Sequence, residues 1–121
     1  MAENSCTDFK KSMSFEKRLS ESTKVLEKYP ERVPIICQRS IHCKDIPIIR
    51  KMKYLVPIHF SIGQFIHIIR KRSDIKPEQA IFVFVNNNIP PNSDSILTVY
   101  DKYKDKDGFL YITYSGENTF G

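Results

Sequence analysis

The spacing of apolar residues along the chain changes several times, and each change marks an element. From Ser14 onward, apolar residues fall at Phe15, Leu19, Leu26 and Tyr29, with Ser22 filling the intermediate turn. That spacing predicts one face of an α-helix with Ser14 as its N-cap. Pro30 ends it, because the residue before a proline is pushed out of the helical region, which puts the end near Lys28–Tyr29. Upstream, residues 1–8 read as a polar, mobile start, and Phe9, Lys10 and Lys11 open a short helix. Residues 32–39 read as a strand with an early proline, Pro34, which is tolerated at a strand start. Residues 40–50 form a connection and residues 52–57 a second strand.

Ser61-Ile62-Gly63-Gln64 has the form of a capping box. The helix it opens carries Ile62, Phe65, Ile66 and Ile69 as a core-facing stripe. Residues 80–85 are a continuous apolar run of β-branched and aromatic residues, hence a third strand. Residues 86–91 are turn chemistry. Residues 95–103 suit a short helix carrying Ile96, Leu97 and Tyr100. After the turn Asp107-Gly108, Leu110, Ile112 and Tyr114 alternate with Phe109, Tyr111 and Thr113 in a last strand.

The order helix–strand–strand–helix–strand–helix–strand is an α+β arrangement on the β-grasp plan, with a four-stranded mixed sheet. The extra N-terminal helix is expected to cover the second sheet face. At 121 residues and 40% hydrophobic content the chain is one domain with a single core. The reading divides it into a mobile start (1–8), a helical subdomain (9–30), the β-grasp core (31–114) and a flexible tail (115–121). There are no internal repeats and no low-complexity segments.

A net charge of +5 favours acidic partners or an anionic membrane surface. No stretch approaches ~18 uninterrupted apolar residues, so no membrane span is expected. The first residues lack a basic region followed by an apolar one, so no secretory signal is visible. Cys6, Cys37 and Cys43 are odd in number and lack C-x-x-C spacing, which fits a reducing cytoplasm. Cys37, His42 and Cys43 do not have the spacing of a closed zinc site, and no orienting Asn or Asp is assigned to a Cys–His pair. They are read as buried or incidental thiols, and no metal is expected. His59 and His67 are read as surface residues, with a pH switch as the sharper alternative.

Two features carry candidate chemistry. The sequence ends in Phe120-Gly121 after a short polar stretch, and a glycine carboxylate, having no Cβ beside it, can enter a narrow active site. Most terminal glycines carry no such role, so the ending alone says little. The second feature is residues 52–57. Strand residues alternate faces, so Lys53 and Leu55 point to one side and Tyr54 and Val56 to the other. If that strand is a sheet edge, a peptide can add to it by main-chain hydrogen bonds. Residues three apart in an extended peptide face opposite sides, so an aromatic-x-x-aliphatic motif would place two anchors in two pockets. Residues 46–73 contain no Asp or Glu but include Arg50, Lys51, Lys53, Arg70, Lys71 and Arg72. Such a patch favours acidic flanks on the ligand. The plainer reading is that Leu55, Val56, Phe65 and Ile68 simply fill the core.

Phe15-Glu16-Lys17-Arg18, Lys28-Tyr29-Pro30-Glu31-Arg32-Val33-Pro34, Lys53-Tyr54-Leu55-Val56-Pro57, Gly63-Gln64-Phe65, Phe84-Val85-Asn86-Asn87 and Asp107-Gly108-Phe109-Leu110-Tyr111 follow one another in order. Together they closely resemble the autophagy ubiquitin-like modifiers, the family of GABARAP and microtubule-associated protein light chain 3. The resemblance covers residues 9–121. It implies a ubiquitin-like β-grasp domain preceded by two helices, with Gly121 joined to phosphatidylethanolamine. It also implies activating and conjugating enzymes as partners, ATP consumed by the separate activating enzyme, no cofactor of the chain's own and no turnover. Family members usually carry residues after the glycine, removed by a dedicated cysteine protease. A chain that stops at Gly121 is either ready for activation or already trimmed.

The resemblance further implies an aromatic pocket lined by Glu21, Val25, Pro34, Ile36, Lys53, Leu55 and Phe109. It implies an aliphatic pocket lined by Tyr54, Val56, Pro57, Phe60, Phe65, Ile68 and Arg72. Some family members use a second docking surface, here Ile81, Phe82, Val83 and Phe84, against the plainer reading of a buried strand. Autophagy receptors carrying short motifs are the implied ligands, and microtubules a further partner. The implied location is the cytoplasm, then the autophagosome membrane and the vacuole or lysosome. Met52 in a stretch that is often uniformly basic, Ile58-His59 in place of a polar pair, and the small Val25 depart from the family pattern and bear on receptor preference. The alternatives are a non-conjugated β-grasp peptide-binding adaptor and a small RNA-binding domain. The second lacks any RNP or KH pattern, so nucleic acid is disfavoured.

Overall fold

The computed structural model describes residues 6–41, 46–49 and 51–116. Its elements are α1 (Cys6–Ser12), α2 (Phe15–Lys28), β1 (Arg32–Arg39), β2 (Lys53–Pro57), α3 (Ile62–Lys71), β3 (Phe82–Phe84), α4 (Ile96–Tyr103) and β4 (Leu110–Ser115). The strands form a mixed sheet in the order β2-β1-β4-β3. β1 and β4 run parallel at its centre, with antiparallel β2 and β3 outside them. This is the α+β β-grasp arrangement that the order of elements predicted, with two helices before the first strand as the resemblance implied.

Local chemistry sets the element ends. The Ser14 hydroxyl accepts from the Lys17 amide at 3.2 Å and opens α2. Ser61 and Gln64 form the reciprocal capping box of α3, at 3.1 Å and 2.8 Å. Ser95 caps α4 by accepting from the Thr98 amide at 3.1 Å. After β3, Val85 and Asn88 exchange backbone hydrogen bonds around Asn86 and Asn87, both at positive φ (51° and 65°). That is the two-residue turn whose twist suits a hairpin, and asparagine tolerates its left-handed conformation.

Two layers of side chains pack on the sheet. On one face the main core joins Ile35, Val56, Phe65, Ile69, Val83, Ile96, Val99, Leu110, Ile112 and Tyr114 beneath α3 and α4. On the other, Phe9, Ile36 and Phe109 form a smaller cluster beside α1, with Phe9 edge-on to Phe109 at 5.5 Å between ring centres. The N-terminal helices thus cover the second sheet face, as the pattern predicted.

Several bounds differ from the sequence reading. α1 starts at Cys6, not Phe9. β3 is shorter than the apolar run 80–85, because its pairing runs only from Phe82↔Ser115 to Phe84↔Thr113 and Val85 enters the turn. β4 continues through Ser115, which is buried, so the sheet extends past the expected boundary at 114. On α2 the buried residue is Ser22, whereas Phe15 and Leu19 lie exposed. The inward line is set by close approach to the Asp107-Gly108 turn. The Ser22 hydroxyl donates to the Asp107 carbonyl at 2.6 Å. Gly108 sits at φ +91°, and a Cβ there would come within 2.3 Å of Ser22 Oγ. On α4 the inward face is Ile96, Val99 and Tyr100, with Leu97 exposed.

The same turn fastens the helices to the sheet. Arg18 Nη1 donates to the fully buried Asp107 carboxylate at 2.7 Å, and the Tyr111 hydroxyl donates to it at 2.5 Å. Burial, reinforced by the hydrogen bond to Asp107, pushes the Tyr111 hydroxyl pKa well up. From α1, Lys10 reaches Asp105 at 2.9 Å.

Candidate functional site

Among the described residues β2 has a neighbour on one side only, so it is a sheet edge. Its register with β1 pairs Ile36↔Lys53, Ile35↔Tyr54, Pro34↔Leu55 and Val33↔Val56. The Cys37 amide donates to the Met52 carbonyl at 2.8 Å and the Ile58 amide to the Glu31 carbonyl at 3.0 Å. Antiparallel pairs alternate between exchanging hydrogen bonds and not, so Tyr54 and Val56 spend their backbone groups on β1. Those of Lys53 and Leu55 face away from it. Pro34, which has no N–H, sits opposite Leu55 in a pair that exchanges none. The edge therefore offers two N–H and C=O sets two residues apart, the spacing that an added strand requires.

Beside this edge lies a concavity of about 500 Å³ lined by Glu21, Val25, Arg32, Pro34, Lys51, Lys53, Tyr54, Leu55, Arg72 and Phe109. Six of the seven residues expected in the aromatic pocket line it. The seventh, Ile36, is fully buried below with Phe9 and Phe109. The expected aliphatic set is more dispersed. Tyr54 and Arg72 line the same concavity, Pro57, Phe60 and Ile68 are half-buried, and Val56 and Phe65 belong to the main core. Phe65 exposes nothing and packs edge-on to Tyr54 at 5.6 Å. Arg32 was not anticipated in the lining. It lies two residues before Pro34 on the same strand, so the two share a face, and alternation could have indicated it.

The rim is charged. Lys53 Nζ lies 2.7 Å from Glu21 Oε2, joining β2 to α2, and 5.4 Å from the Phe9 ring centre. Lys51 Nζ stands 5.6 Å from the Tyr54 ring centre. The Tyr54 hydroxyl is buried and has no hydrogen-bond partner among the described residues. Burial pushes its pKa up to about 12, Cys37 nearby adds to the shift and Arg72 opposes it.

At the opposite edge, Ile81 and Val83 are buried in the main core, Phe84 is buried and Phe82 is half-buried. His59 and His67 are exposed, with His59 edge-on to Phe60 at 5.4 Å. Among the described residues no cluster of His, Cys, Asp or Glu could hold a metal, and no helix is long and apolar enough to cross a membrane. Gly121 and the tail from 117, together with His42, Cys43 and Arg50, lie outside the described residues.

Comparison with known proteins places this geometry. Residues 17–121 match the family model described as autophagy protein Atg8 ubiquitin like. The chain is 51% identical over 115 residues to autophagy-related protein 8 of Schizosaccharomyces pombe, covering 95% of this chain and 94% of the other. It is 52% identical over 115 residues to the protein of that name in Vanderwaltozyma polyspora, covering 95% and 97%. Among solved structures, Trypanosoma brucei ATG8 superposes with a TM-score of 0.85 at 45% identity, covering 93% of this chain and 97% of that one. Plasmodium falciparum Atg8, solved in complex with a Plasmodium falciparum Atg3 peptide, superposes with a TM-score of 0.83 at 36% identity, covering 93% and 98%.

Proposed function

Given that this chain belongs to the Atg8 family of autophagy ubiquitin-like proteins, we propose that it is a modifier joined through Gly121 to phosphatidylethanolamine, and that its β2 edge captures extended peptides of autophagy receptors and of its own conjugation enzymes. The observation that carries the docking half is the open edge itself: outward backbone groups at Lys53 and Leu55 beside a concavity with a basic rim. The Plasmodium relative seen with an Atg3 peptide supports a peptide ligand from a conjugating enzyme.

A ligand adds as a strand along β2 and lowers an aromatic side chain among Val25, Pro34, Leu55 and Phe109. Burying an aromatic group of 150–250 Å² contributes roughly 4–6 kcal/mol gross. Ordering the peptide offsets much of that, so micromolar-range affinity is the order of magnitude expected. Acidic flanks gain from Lys51 and Arg72 and make association salt-sensitive.

The conjugation half rests on family membership and on a match that runs to residue 121. A carboxylate does not form an amide in water unaided. A separate enzyme adenylates Gly121 with ATP, releasing pyrophosphate. An enzyme thiolate then displaces AMP, and the lipid amine displaces that thiol. Two acyl chains anchor a soluble domain stably where one anchors only marginally. The chain is thus a substrate without turnover, moving from cytoplasm to autophagosome membrane. Incubation with the matching activating and conjugating enzymes, ATP and phosphatidylethanolamine vesicles should add one lipid mass at the C-terminus. Equal addition to a chain lacking Gly121 contradicts this reading.

A further inference from the structure

The segment just before β2 holds an isoleucine out in solvent. Ile46 and Ile49 are buried in the main core, whereas Ile48 between them is 66% exposed, more than Phe15, Leu19, Ile41, Ile89 or Leu97. The exposure is fixed by the backbone. Arg39 Nη1 donates to the Ile46 carbonyl at 2.8 Å, the Tyr114 hydroxyl donates to the Pro47 carbonyl at 2.8 Å, and the Ile49 amide donates to that same hydroxyl at 2.9 Å. With three anchors in four residues, Ile48 cannot turn inward without breaking buried or part-buried hydrogen bonds.

Ile48 and Pro47 form one wall of a second concavity, about 330 Å³, whose other wall is the end of α3: Lys71, Arg72, Ser73 and Asp74. Arg72 lines both this concavity and the one beside β2, so the two adjoin at that side chain. Among the described residues Lys51, Lys71 and Arg72 form no ion pair, and Asp74 is the one acid in the lining. Pro47 and Ile48 facing Lys71 and Arg72 suit a negatively charged ligand with an apolar side chain.

We propose that the Pro47–Ile48 concavity is a third anchor site, adjoining the β2 groove at Arg72, which takes an apolar side chain from an acidic segment flanking the core motif of a docked peptide. The proposal rests on the reading of β2 as a docking edge. It adds a specificity element that the two-pocket scheme lacks: ligands sharing the same core motif are ranked by what their flank carries.

The test compares synthetic peptides by fluorescence anisotropy. One holds only an aromatic-x-x-aliphatic core. Two others add Glu-Glu-Phe-Glu before or after it, and each has a counterpart with the flanking Phe replaced by Ser. One flanked peptide should bind on the order of tenfold tighter than its serine counterpart. Ile48→Ser should abolish that ratio while leaving the affinity for the core peptide unchanged. A ratio of one on both flanks, or a ratio that survives Ile48→Ser, overturns the third anchor while core binding keeps the groove. Ile48-dependent binding of a flanked peptide with no binding of the core keeps the anchor and overturns the two-pocket groove. Failure of every peptide overturns both.

Discussion

Lys53 Nζ on the sheet edge lies 2.7 Å from Glu21 Oε2 on α2, spanning the rim of the β2 concavity. Both side chains keep substantial exposure, so the pair contributes little to folding, under about 1 kcal/mol. Its place on the rim gives it a different role, holding the lysine ammonium near the Phe9 ring. Lys53→Met should therefore leave the urea midpoint almost unchanged and weaken the salt dependence of peptide binding. A stability loss above about 2 kcal/mol would show that the bridge belongs to the fold.

Leu55 is half-buried, points into the concavity and takes no part in the main core. Leu55→Asp should reduce peptide affinity at least tenfold, because an aspartate placed among Val25, Pro34 and Phe109 must lose its hydration when the ligand closes over it. Circular dichroism should report an unchanged fold. Tyr54 is unsuitable for such a test. It is 6% exposed and packed edge-on against Phe65, so Tyr54→Ala would cost about 3–5 kcal/mol and confound binding with unfolding.

Tyr54 gives a sharper prediction through its hydroxyl, which is buried and has no partner among the described residues. Tyr54→Phe removes an unsatisfied polar group and should be neutral or stabilising, by up to about 1 kcal/mol, at pH 7. Burial pushes this pKa up to about 12 from 10.0, so the folded state resists ionisation. The stability is present in full below pH 10 and is lost as pH rises from 10 towards 12. Tyr54→Phe should flatten that alkaline decline, as measured by thermal melts across the range.

Gly108 is required by two features at once, positive φ and the approach of Ser22 Oγ. Gly108→Ala should destabilise by about 2 kcal/mol, a fall in Tm of about 5–10 °C. Separation of α2 from the turn would also appear as faster amide exchange along α2.

Acid sensitivity should centre on the same turn. Burial raises the Asp105 pKa, but Lys10 and the Asp107 amide outweigh it and hold the carboxyl below its ordinary value. The stabilisation is therefore complete above the unfolded carboxyl pKa, about 4, and fades as pH falls below it. Asp105→Asn should lower stability at pH 7 and make the loss below pH 4 shallower.

Much of the fold was legible because single residues declare it. Ser14, Ser61 with Gln64, and Ser95 mark helix starts by unsatisfied amides near a hydroxyl. Alternation at 53–56 correctly separated Tyr54 and Val56 from Lys53 and Leu55. The inward face of α2 was not legible, because it is set by Ser22 packing on Gly108, 86 positions away, and not by apolar spacing. The site was legible where family motifs fall on exposed strand positions. Phe65 and Val56 were less so, because a strand and a helix that both face the core give the same apolar pattern whether or not a pocket opens between them. The outward isoleucine at 48 lies in the segment 40–50 that reads in sequence only as a connection, and its exposure depends on the distant anchors from Arg39 and Tyr114.

Amide hydrogen exchange along β2 tests the central claim most directly. Addition of a saturating aromatic-x-x-aliphatic peptide should slow exchange at the Lys53 and Leu55 amides, whose N–H groups face the open edge. The Tyr54 and Val56 amides, already bonded to β1, should change little. Slowed exchange confined to β3, or none at Lys53 and Leu55 under conditions where the peptide is bound, would contradict docking on this edge.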